Sequence, residues 1–339
     1  MKELYPWQVD VWRRLLGLKN RLPNSLLLKG TEGIGKLELG LDFAKAILCT
    51  NTLSSGLACE NCSSCHWFSL ETHPDFRFIQ PDSLSATEDT SDKEMGKKAS
   101  REIGVEQIRS LSSFINMSAH SGNYRVVLIH PAESMNNNAA NALLKSLEEP
   151  TDKLLFILVS HKYQQLLPTI LSRSLSISVP IPTHEISTSW LKLQGVVAPQ
   201  AVLALAGYAP LTALNWAGDT SENGERILLL NAFKQAHGFD ALSLAEQLQR
   251  TSPVLLIHQL QQWCYDLFSF KLTGIVRYHP DHSDSISRLC KNIPLHSLLR
   301  FIKELQQAKR EAFHPLNPRL LFESLLLSYQ QIISASISR

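Results

Sequence analysis

A glycine-rich stretch near the N-terminus, KGTEGIGKLELG at residues 29–40, has the residue types and spacing of a phosphate-binding loop. It fits the pattern G-x-x-x-x-G-K-[ST] except at its last position. Such loops direct backbone N–H groups and a lysine at phosphates, and the Ser or Thr hydroxyl binds Mg²⁺. Leu37 stands at that position, so the sequence predicts a phosphate cradle without one of its metal ligands. The candidate nucleotide-binding residues are Gly30, Gly33, Gly35 and Lys36.

A second metal-handling position is expected after a neighbouring apolar strand, where an acidic residue positions Mg²⁺ and a following Glu polarises water. The best candidate strand, RVVLI at 125–129, is followed by His130 and Pro131. Neither residue is acidic, and an imidazole is a poor substitute for a carboxylate around Mg²⁺. Glu133 comes later, and we expect it at a helix start, pointing away from the site. The mismatches at Leu37, His130 and Pro131 together predict a chain that does not hydrolyse ATP. Lys36 is either paired with a phosphate or simply exposed.

Four cysteines form a second chemical pattern, with the spacing C-x9-C-x2-C-x2-C. Four thiolates at such spacings suit a tetrahedral zinc ion. The alternatives are disulfides, which a reducing compartment disfavours, and buried free cysteines. No general base or open coordination position is evident, so the zinc would be structural. The predicted ligands are Cys49, Cys59, Cys62 and Cys65, whereas Cys264 and Cys290 stand alone and are predicted core residues.

The composition is that of an ordinary globular protein, with 339 residues, 44% hydrophobic and 19% charged. This length suits two or three domains. A formal net charge of +2 gives no argument for binding nucleic acid or an anionic membrane. The chain has no apolar run long enough to span a membrane, and its N-terminus lacks the apolar core of a signal peptide. These features predict a cytoplasmic protein without a membrane partner.

The elements that must position these residues alternate along the first half of the chain. Short apolar strands alternate with amphipathic helices, which predicts a parallel sheet covered on both faces. Residues 82–100 are polar and predict a mobile loop. The predicted strands lie within 25–30, 73–81, 124–131 and 153–160, and the predicted helices within 37–49, 104–115 and 136–150.

The pattern changes beyond about residue 180. The stretch VPIPTHEIS contains two prolines and predicts a linker, and only helical spacing follows it. The sequence therefore predicts an α/β domain at 1–179, a short helical domain at 180–221 and a longer all-helical domain at 222–339.

Further motifs accompany the glycine-rich stretch LLLKGTEGIGK (26–36) and the cysteines, namely YPWQ (5–8), HPDF (73–76), NNAANALLKSLEEP (137–150) and LLPTILSRS (166–174). Together these motifs resemble the delta-prime subunits of the bacterial DNA polymerase III clamp loader, within the AAA+ superfamily. The catalytic gamma/tau relatives share much of the set, and the lost metal ligands favour delta-prime. The resemblance implies a RecA-like AAA+ domain with a zinc module at 49–65, then a small helical lid and an all-α collar. The resemblance covers essentially the whole chain.

The resemblance also implies a role in an assembly. In that family the subunit is a rigid, non-hydrolysing partner of gamma/tau and delta in a five-subunit ring that loads the beta sliding clamp onto primed DNA. Arg173 would be an arginine finger that reaches a neighbour's γ-phosphate, and Ser174 replaces the cysteine that follows it in the family. Ser160 is either a nucleotide sensor or an ordinary strand-end serine. Leu211 stands where catalytic relatives carry a second sensing arginine.

Two other functions make predictions that the sequence does not meet. A competent gamma/tau-like ATPase predicts Ser or Thr at position 37 and an acidic residue near 130, and the sequence has neither. A zinc-containing DNA-binding module predicts a basic surface with interleaved aromatic residues, which the small net charge disfavours. The sequence leaves open whether ATP or ADP binds the degenerate loop.

Overall fold

The structure is a computed structural model, and it forms two compact units, Met1–Ile186 and Ser187–Arg339. None of the helices that it describes is both long and apolar enough to cross a membrane. The described residues are 4–19, 21–85, 100–117, 119, 124–218, 220–235, 239–249, 251–311 and 317–334.

The first unit is built around a five-stranded parallel sheet with the order β2-β3-β4-β1-β5. Strands β1, β3 and β4 lie inside the sheet and are almost wholly apolar, because helices cover both of their faces. The strands are β1 (Ser25–Lys29), β2 (Phe76–Ile79), β3 (Arg125–Ile129), β4 (Leu154–Ser160) and β5 (Leu175–Ser178).

Helix α2 (Lys36–Leu48) packs closely on the sheet and joins the glycine-rich loop to the cysteine cluster. A side chain at Gly40 in this helix would bring a Cβ within 3.2 Å of Leu128 on β3, so glycine permits the close approach. The helices of this unit are α1 (Val9–Gly17), α2 (Lys36–Leu48), α3 (Ser63–Ser69), α4 (Asp82–Ser85), α5 (Val105–Arg109), α6 (Leu111–Asn116), α7 (Asn137–Glu148) and α8 (Pro168–Arg173), with 3₁₀ turns at Pro6–Gln8, Ala132–Ser134 and Tyr163–Gln165.

The predicted α/β fold class is confirmed, and so are the four predicted strands and the helices at α2 and α7. Three details were wrong. The edge strand β5 was not predicted, the helix expected over 104–115 divides at Ser110, and the expected loop at 82–100 begins with the short helix α4. The rest of that loop, 86–99, lies outside the described residues.

The second unit contains helices only, as predicted, within the part of the chain that the structure describes. Its buried apolar residues form a small cluster around Leu191, Leu203 and Ala213 and a larger one that contains α14. Cys264 and Cys290 are buried in the larger cluster, which confirms their assignment to the core. The helices are α9 (His184–Leu193, which begins in the first unit), α10 (Pro199–Leu205), α11 (Pro210–Gly218), α12 (Thr220–Phe233), α13 (Ala241–Gln247), α14 (Pro253–Thr273), α15 (Ser283–Asn292), α16 (Leu295–Glu311) and α17 (Pro318–Ser334), with a 3₁₀ turn at Pro280–His282.

The two clusters are joined by direct contacts. Gln262 of α14 donates to the Leu205 carbonyl at 2.6 Å, and the Tyr208 hydroxyl donates to the Arg277 carbonyl at 3.1 Å. These contacts explain why residues from 187 onward form one compact unit. The finer division into a lid at 180–221 and a collar at 222–339 stays a prediction.

Candidate functional site

The glycine-rich loop lies where its sequence predicts, between the carboxyl end of β1 and the start of α2. Gly33 and Gly35 have φ values of +75° and +82°, in the left-handed region that favours glycine. Gly35 is also the N-cap of α2, so the four candidate residues form a turn at a helix N-terminus. That geometry is the one by which such loops hold phosphates.

The lysine of the loop is turned inward. Lys36 is 2% exposed, and its ammonium donates to the Thr31 carbonyl of the same loop at 2.5 Å. Burial lowers the pKa of Lys36 to about 8, partly offset by the negative charges of Glu133, Glu32 and Glu38. Of the two roles that the sequence left open for Lys36, the exposed lysine is excluded.

Residues before α1 cover the outer side of the loop. The Gln8 side-chain amide donates to the Gly35 carbonyl at 2.6 Å and to the Ile34 carbonyl at 3.1 Å. The Trp7 indole donates to the same Ile34 carbonyl at 2.9 Å. A Cβ added at Gly35 would lie 2.8 Å from the Tyr5 ring and closer still to Gln8. The YPWQ motif therefore holds the loop closed, a role that the sequence alone did not assign.

Two histidines meet at the carboxyl ends of β3 and β4, beside the loop. The Nε2 atoms of His130 and His161 lie 3.1 Å apart, within hydrogen-bond distance. Burial is the largest cause that lowers the pKa of each imidazole to about 4, and Lys36 adds to this effect. His161 was missed at the sequence level because a single histidine after a strand carries no motif.

The expectation that Glu133 points away from the site is wrong. It lies in the 3₁₀ turn Ala132–Ser134, and its Oε1 accepts the backbone N–H groups of His161 at 3.0 Å and Lys162 at 3.1 Å. Its charge raises the pKa of Lys36. A carboxylate is therefore present beside the loop, although it does not follow the strand directly. Its Oε2 is buried and has no hydrogen-bond partner among the described residues.

Ser160 and Leu211 stand at the two positions that the resemblance compares with nucleotide sensors of relatives. Ser160 ends β4 and is fully buried, and its hydroxyl finds no hydrogen-bond partner within the described ranges. Leu211 lies in α11 of the second unit. The sensing role of Ser160 and the placement of Leu211 where catalytic relatives carry a sensing arginine both stay predictions.

Arg173 is the last residue of α8, on the surface of the first unit. Its side chain is 37% exposed, and its guanidinium lies 2.7 Å from the carboxylate of Glu148, the last residue of α7. The next residue, Ser174, anchors this corner because its hydroxyl lies 2.8 Å from that of Ser25 and donates to the Ile170 carbonyl at 2.8 Å. The arginine is thus held on a rigid corner and remains accessible.

The four clustered cysteines converge as their spacing predicts. Their sulfur atoms all lie within 4.8 Å of one another, and individual pairs are 3.6 to 4.0 Å apart. Bonds of about 2.3 Å from one tetrahedral zinc ion would place sulfurs about 3.8 Å apart. The set Cys49, Cys59, Cys62 and Cys65 therefore fits a single metal ion.

Backbone groups and neighbouring side chains support these sulfurs. The backbone N–H of Cys59 donates to the Cys49 sulfur at 3.3 Å, and that of Cys65 donates to the Cys62 sulfur at 3.4 Å. Burial raises the pKa of Cys62, but hydrogen bonds from Thr50 and the Cys65 N–H outweigh it and bring the pKa to about 5. A thiolate is favoured at that position, whereas burial raises the pKa of the Cys49 and Cys65 thiols.

Comparisons with known proteins match residues in both units and indicate the same family for each. Residues 8–182 match the family model for "DNA polymerase III, delta subunit", and residues 223–331 match that for its C-terminal part. A DNA polymerase III subunit delta' of Pseudomonas aeruginosa is 34% identical over 80% of each chain. The corresponding subunit of Yersinia pestis is 28% identical over 97% of this chain and 96% of its own. The chain belongs to the delta-prime subunit family of DNA polymerase III.

Proposed function

We propose that this chain is a non-hydrolysing subunit of a bacterial clamp loader and that it acts on ATP only through a neighbour. The observation that carries the proposal is the contrast between Lys36, turned inward onto its own loop, and Arg173, accessible on a rigid corner. The first arrangement withdraws the main phosphate-binding charge from the chain's own site. The second offers a permanent positive charge to a site on another subunit.

The closed loop explains why hydrolysis is not expected here. A nucleotide would have to draw Lys36 away from Thr31 and find a Mg²⁺ ligand where Leu37 and His130 stand. Carboxylate and hydroxyl oxygens suit Mg²⁺, whereas a leucine side chain offers no ligand and an imidazole is a poor one. Gln8 in addition fixes the loop from the opposite side. These features support binding without turnover, or no binding at all.

The proposed partners follow from the family. In the assembly, gamma/tau subunits would hydrolyse ATP and delta would complete the ring. The complex would load the beta clamp onto primed DNA in the cytoplasm. Arg173 would stabilise the negative charge on the γ-phosphoryl group of one neighbouring site, where an arginine finger contributes about 10³–10⁵ in rate. The zinc ion, in this proposal, is structural and ties the segment 49–65 together.

One observation favours the alternative of a competent ATPase. Glu133 places a carboxylate beside Lys36, where a hydrolysing site would need one. However, Oε1 of Glu133 already accepts two backbone N–H groups, which fixes the carboxylate against β4. This engagement supports a structural role for Glu133 over a catalytic one.

ATPase measurements separate the two functions. The purified chain alone is expected to show no Mg²⁺-dependent ATP turnover above a no-protein blank. Adding it to gamma/tau and delta subunits is expected to yield one co-purifying complex whose ATPase rises with the beta clamp and primed DNA. Turnover by the chain alone would establish the alternative, and failure to co-purify would overturn the proposed assembly.

A further inference from the structure

The ion pair between Arg173 and Glu148 has no role in the function described so far. The two residues come from different motifs, SLEEP at the end of α7 and LSRS at the end of α8, and the two helices pack against each other. Their closest atoms, Nη2 and Oε1, are 2.7 Å apart. Both side chains remain partly exposed, at 37% and 49%. Such a pair contributes little to stability in water, so its geometry matters more than its energy.

The position of Glu148 in its helix indicates that the ion pair, and not helix stability, accounts for this residue. It is the C-terminal residue of α7, where the helix dipole disfavours a negative side chain and favours a positive one. Helix stability therefore does not account for a glutamate there. Glu149 follows it, is exposed, and takes part in no ion pair within the described residues. Of two adjacent glutamates, one is directed at Arg173.

The other contacts of Arg173 do not fix its direction. Its Nη1 donates to the Thr169 carbonyl at 3.3 Å and lies 3.5 Å from the Ser172 hydroxyl, both long distances within its own helix. Among the described residues, Glu148 is the partner from another element that restrains the guanidinium. Glu148 holds one edge of the fork, and the side chain as a whole remains 37% exposed.

We propose that Glu148 is a positioning residue for Arg173, which holds the guanidinium in the direction that meets the phosphate of a neighbouring subunit. This inference rests on the proposed role of Arg173 as an arginine finger. A long side chain that is already oriented loses less conformational freedom when it engages the phosphate. Glu148 itself touches neither nucleotide nor the reacting atoms. Its effect is transmitted through the orientation of Arg173.

The test uses the reconstituted clamp-loader complex and four variants of this chain. Glu148→Gln keeps the size of the side chain and removes its charge, and Glu149→Gln makes the same change at the adjacent position. Arg173→Ala and the double variant Glu148→Gln/Arg173→Ala complete the cycle. Assembly is checked by gel filtration, and thermal unfolding confirms that each chain is folded. The readouts are kcat and KM for ATP in the presence of clamp and primed DNA.

Glu148→Gln is expected to slow the adjoining site about two- to fivefold, which removes about 50–80% of the rate of that site. The KM for ATP should stay unchanged, since the nucleotide is bound by the neighbour. Glu149→Gln should match the unmodified complex. In the Arg173→Ala background, Glu148→Gln should have no further effect, because its only route is through the arginine.

Three results would contradict the inference in distinguishable ways. If Arg173→Ala leaves the rate unchanged, the arginine-finger role itself is wrong. If Arg173→Ala slows the complex but Glu148→Gln behaves like Glu149→Gln, the finger stands and the positioning role is wrong. If Glu148→Gln raises the rate, the carboxylate competes with phosphate for the guanidinium, and the positioning role is wrong as well.

Discussion

His130 and His161, 31 positions apart in sequence, face each other through Nε2 atoms 3.1 Å apart at the carboxyl ends of β3 and β4. One imidazole must donate to the other, which requires that at least one of them is neutral. Burial lowers the pKa of both to about 4. At neutral pH the two residues are thus an uncharged pair that joins two strands.

The lowered pKa values of His130 and His161 predict that the folded chain becomes less stable in mild acid. In the unfolded chain these imidazoles take up protons at a pKa of about 6.5, whereas in the folded chain they do so only at about 4. The stability that the neutral forms contribute is therefore full above pH 6.5 and is lost as the pH falls towards 4. The expected result is a lower melting temperature at pH 5 than at pH 7.

Two variants test whether the histidine pair causes this loss of stability. His161→Asn should show a smaller difference in melting temperature between pH 7 and pH 5 than the unmodified chain. His66→Asn, at an exposed position in the same unit, should retain the full difference. Equal pH dependence in all three proteins would contradict the assignment.

The closed glycine-rich loop predicts a stability cost when Gln8 is truncated. Gln8→Ala removes two hydrogen bonds and leaves the Gly35 carbonyl without the donor that contacts it at 2.6 Å. We expect a loss of about 1–3 kcal/mol in the free energy of unfolding, measured by urea denaturation. Gln164→Ala, at an exposed position of the same unit, should change it by less than about 0.5 kcal/mol. A Gln8→Ala variant as stable as that control would show that the contact does not hold the loop.

Restoring a hydroxyl to the loop should not restore hydrolysis. Leu37→Thr supplies the missing Mg²⁺ ligand, but Lys36 remains bonded to Thr31 and position 130 remains an imidazole. The expected ATPase of the isolated Leu37→Thr chain is the same as the blank, in a coupled assay with Mg²⁺. Turnover by this single variant would mean that Glu133 already serves as the acidic ligand.

The cysteine cluster predicts about one zinc ion per chain. Elemental analysis of freshly purified, reduced protein should give that ratio, and Cys62→Ser should lower it strongly while loosening the segment 49–65. Cys290→Ala is the matched control, because this cysteine is buried in the other unit and should leave the zinc content unchanged. Protein that contains no zinc before any chelator is added would refute the assignment.

The arginine finger predicts a selective loss of activity. Arg173→Ala should leave assembly intact and cost at most about 1 kcal/mol in stability, since its ion pair with Glu148 is partly exposed. The assembled complex should lose the activity of the one adjoining site. Arg173→Lys should rescue poorly, because an ammonium cannot reproduce the planar fork. Unchanged ATPase and clamp loading by an assembled Arg173→Ala complex would exclude the finger.

The sequence predicted those parts of the fold that depend on local pattern. Strand β4 is a run of apolar residues and is buried along its whole length, so its pattern and its environment agree. Strand β5 lies at the edge of the sheet, and only Ile177 among its four residues is buried. An edge strand needs few apolar residues, which is why LSIS was not predicted as a strand.

The part of the site whose residues lie close together in the sequence was predictable. Contacts between residues that only the fold brings together were not. Cysteines two residues apart can converge only locally, so their cluster was visible in the sequence. The contacts of Glu133 with His161 and of Gln8 with Gly35 join residues more than 25 positions apart. The first contact arises because parallel strands bring their carboxyl ends to one edge of the sheet, whereas the second joins a residue before α1 to the loop that follows β1. No local pattern encodes such contacts.

Helix α2 begins at Lys36 of the glycine-rich loop and ends one residue before Cys49 of the cysteine cluster. Its 13 residues make a rod about 20 Å long. Both motifs are therefore attached to the two ends of one stiff body that lies against the sheet. A displacement at the cysteine end would tilt or shift the rod, and the loop at the other end would move with it. The glycine-rich loop and the cysteine cluster are separate in sequence and in chemistry, but one stiff helix connects them.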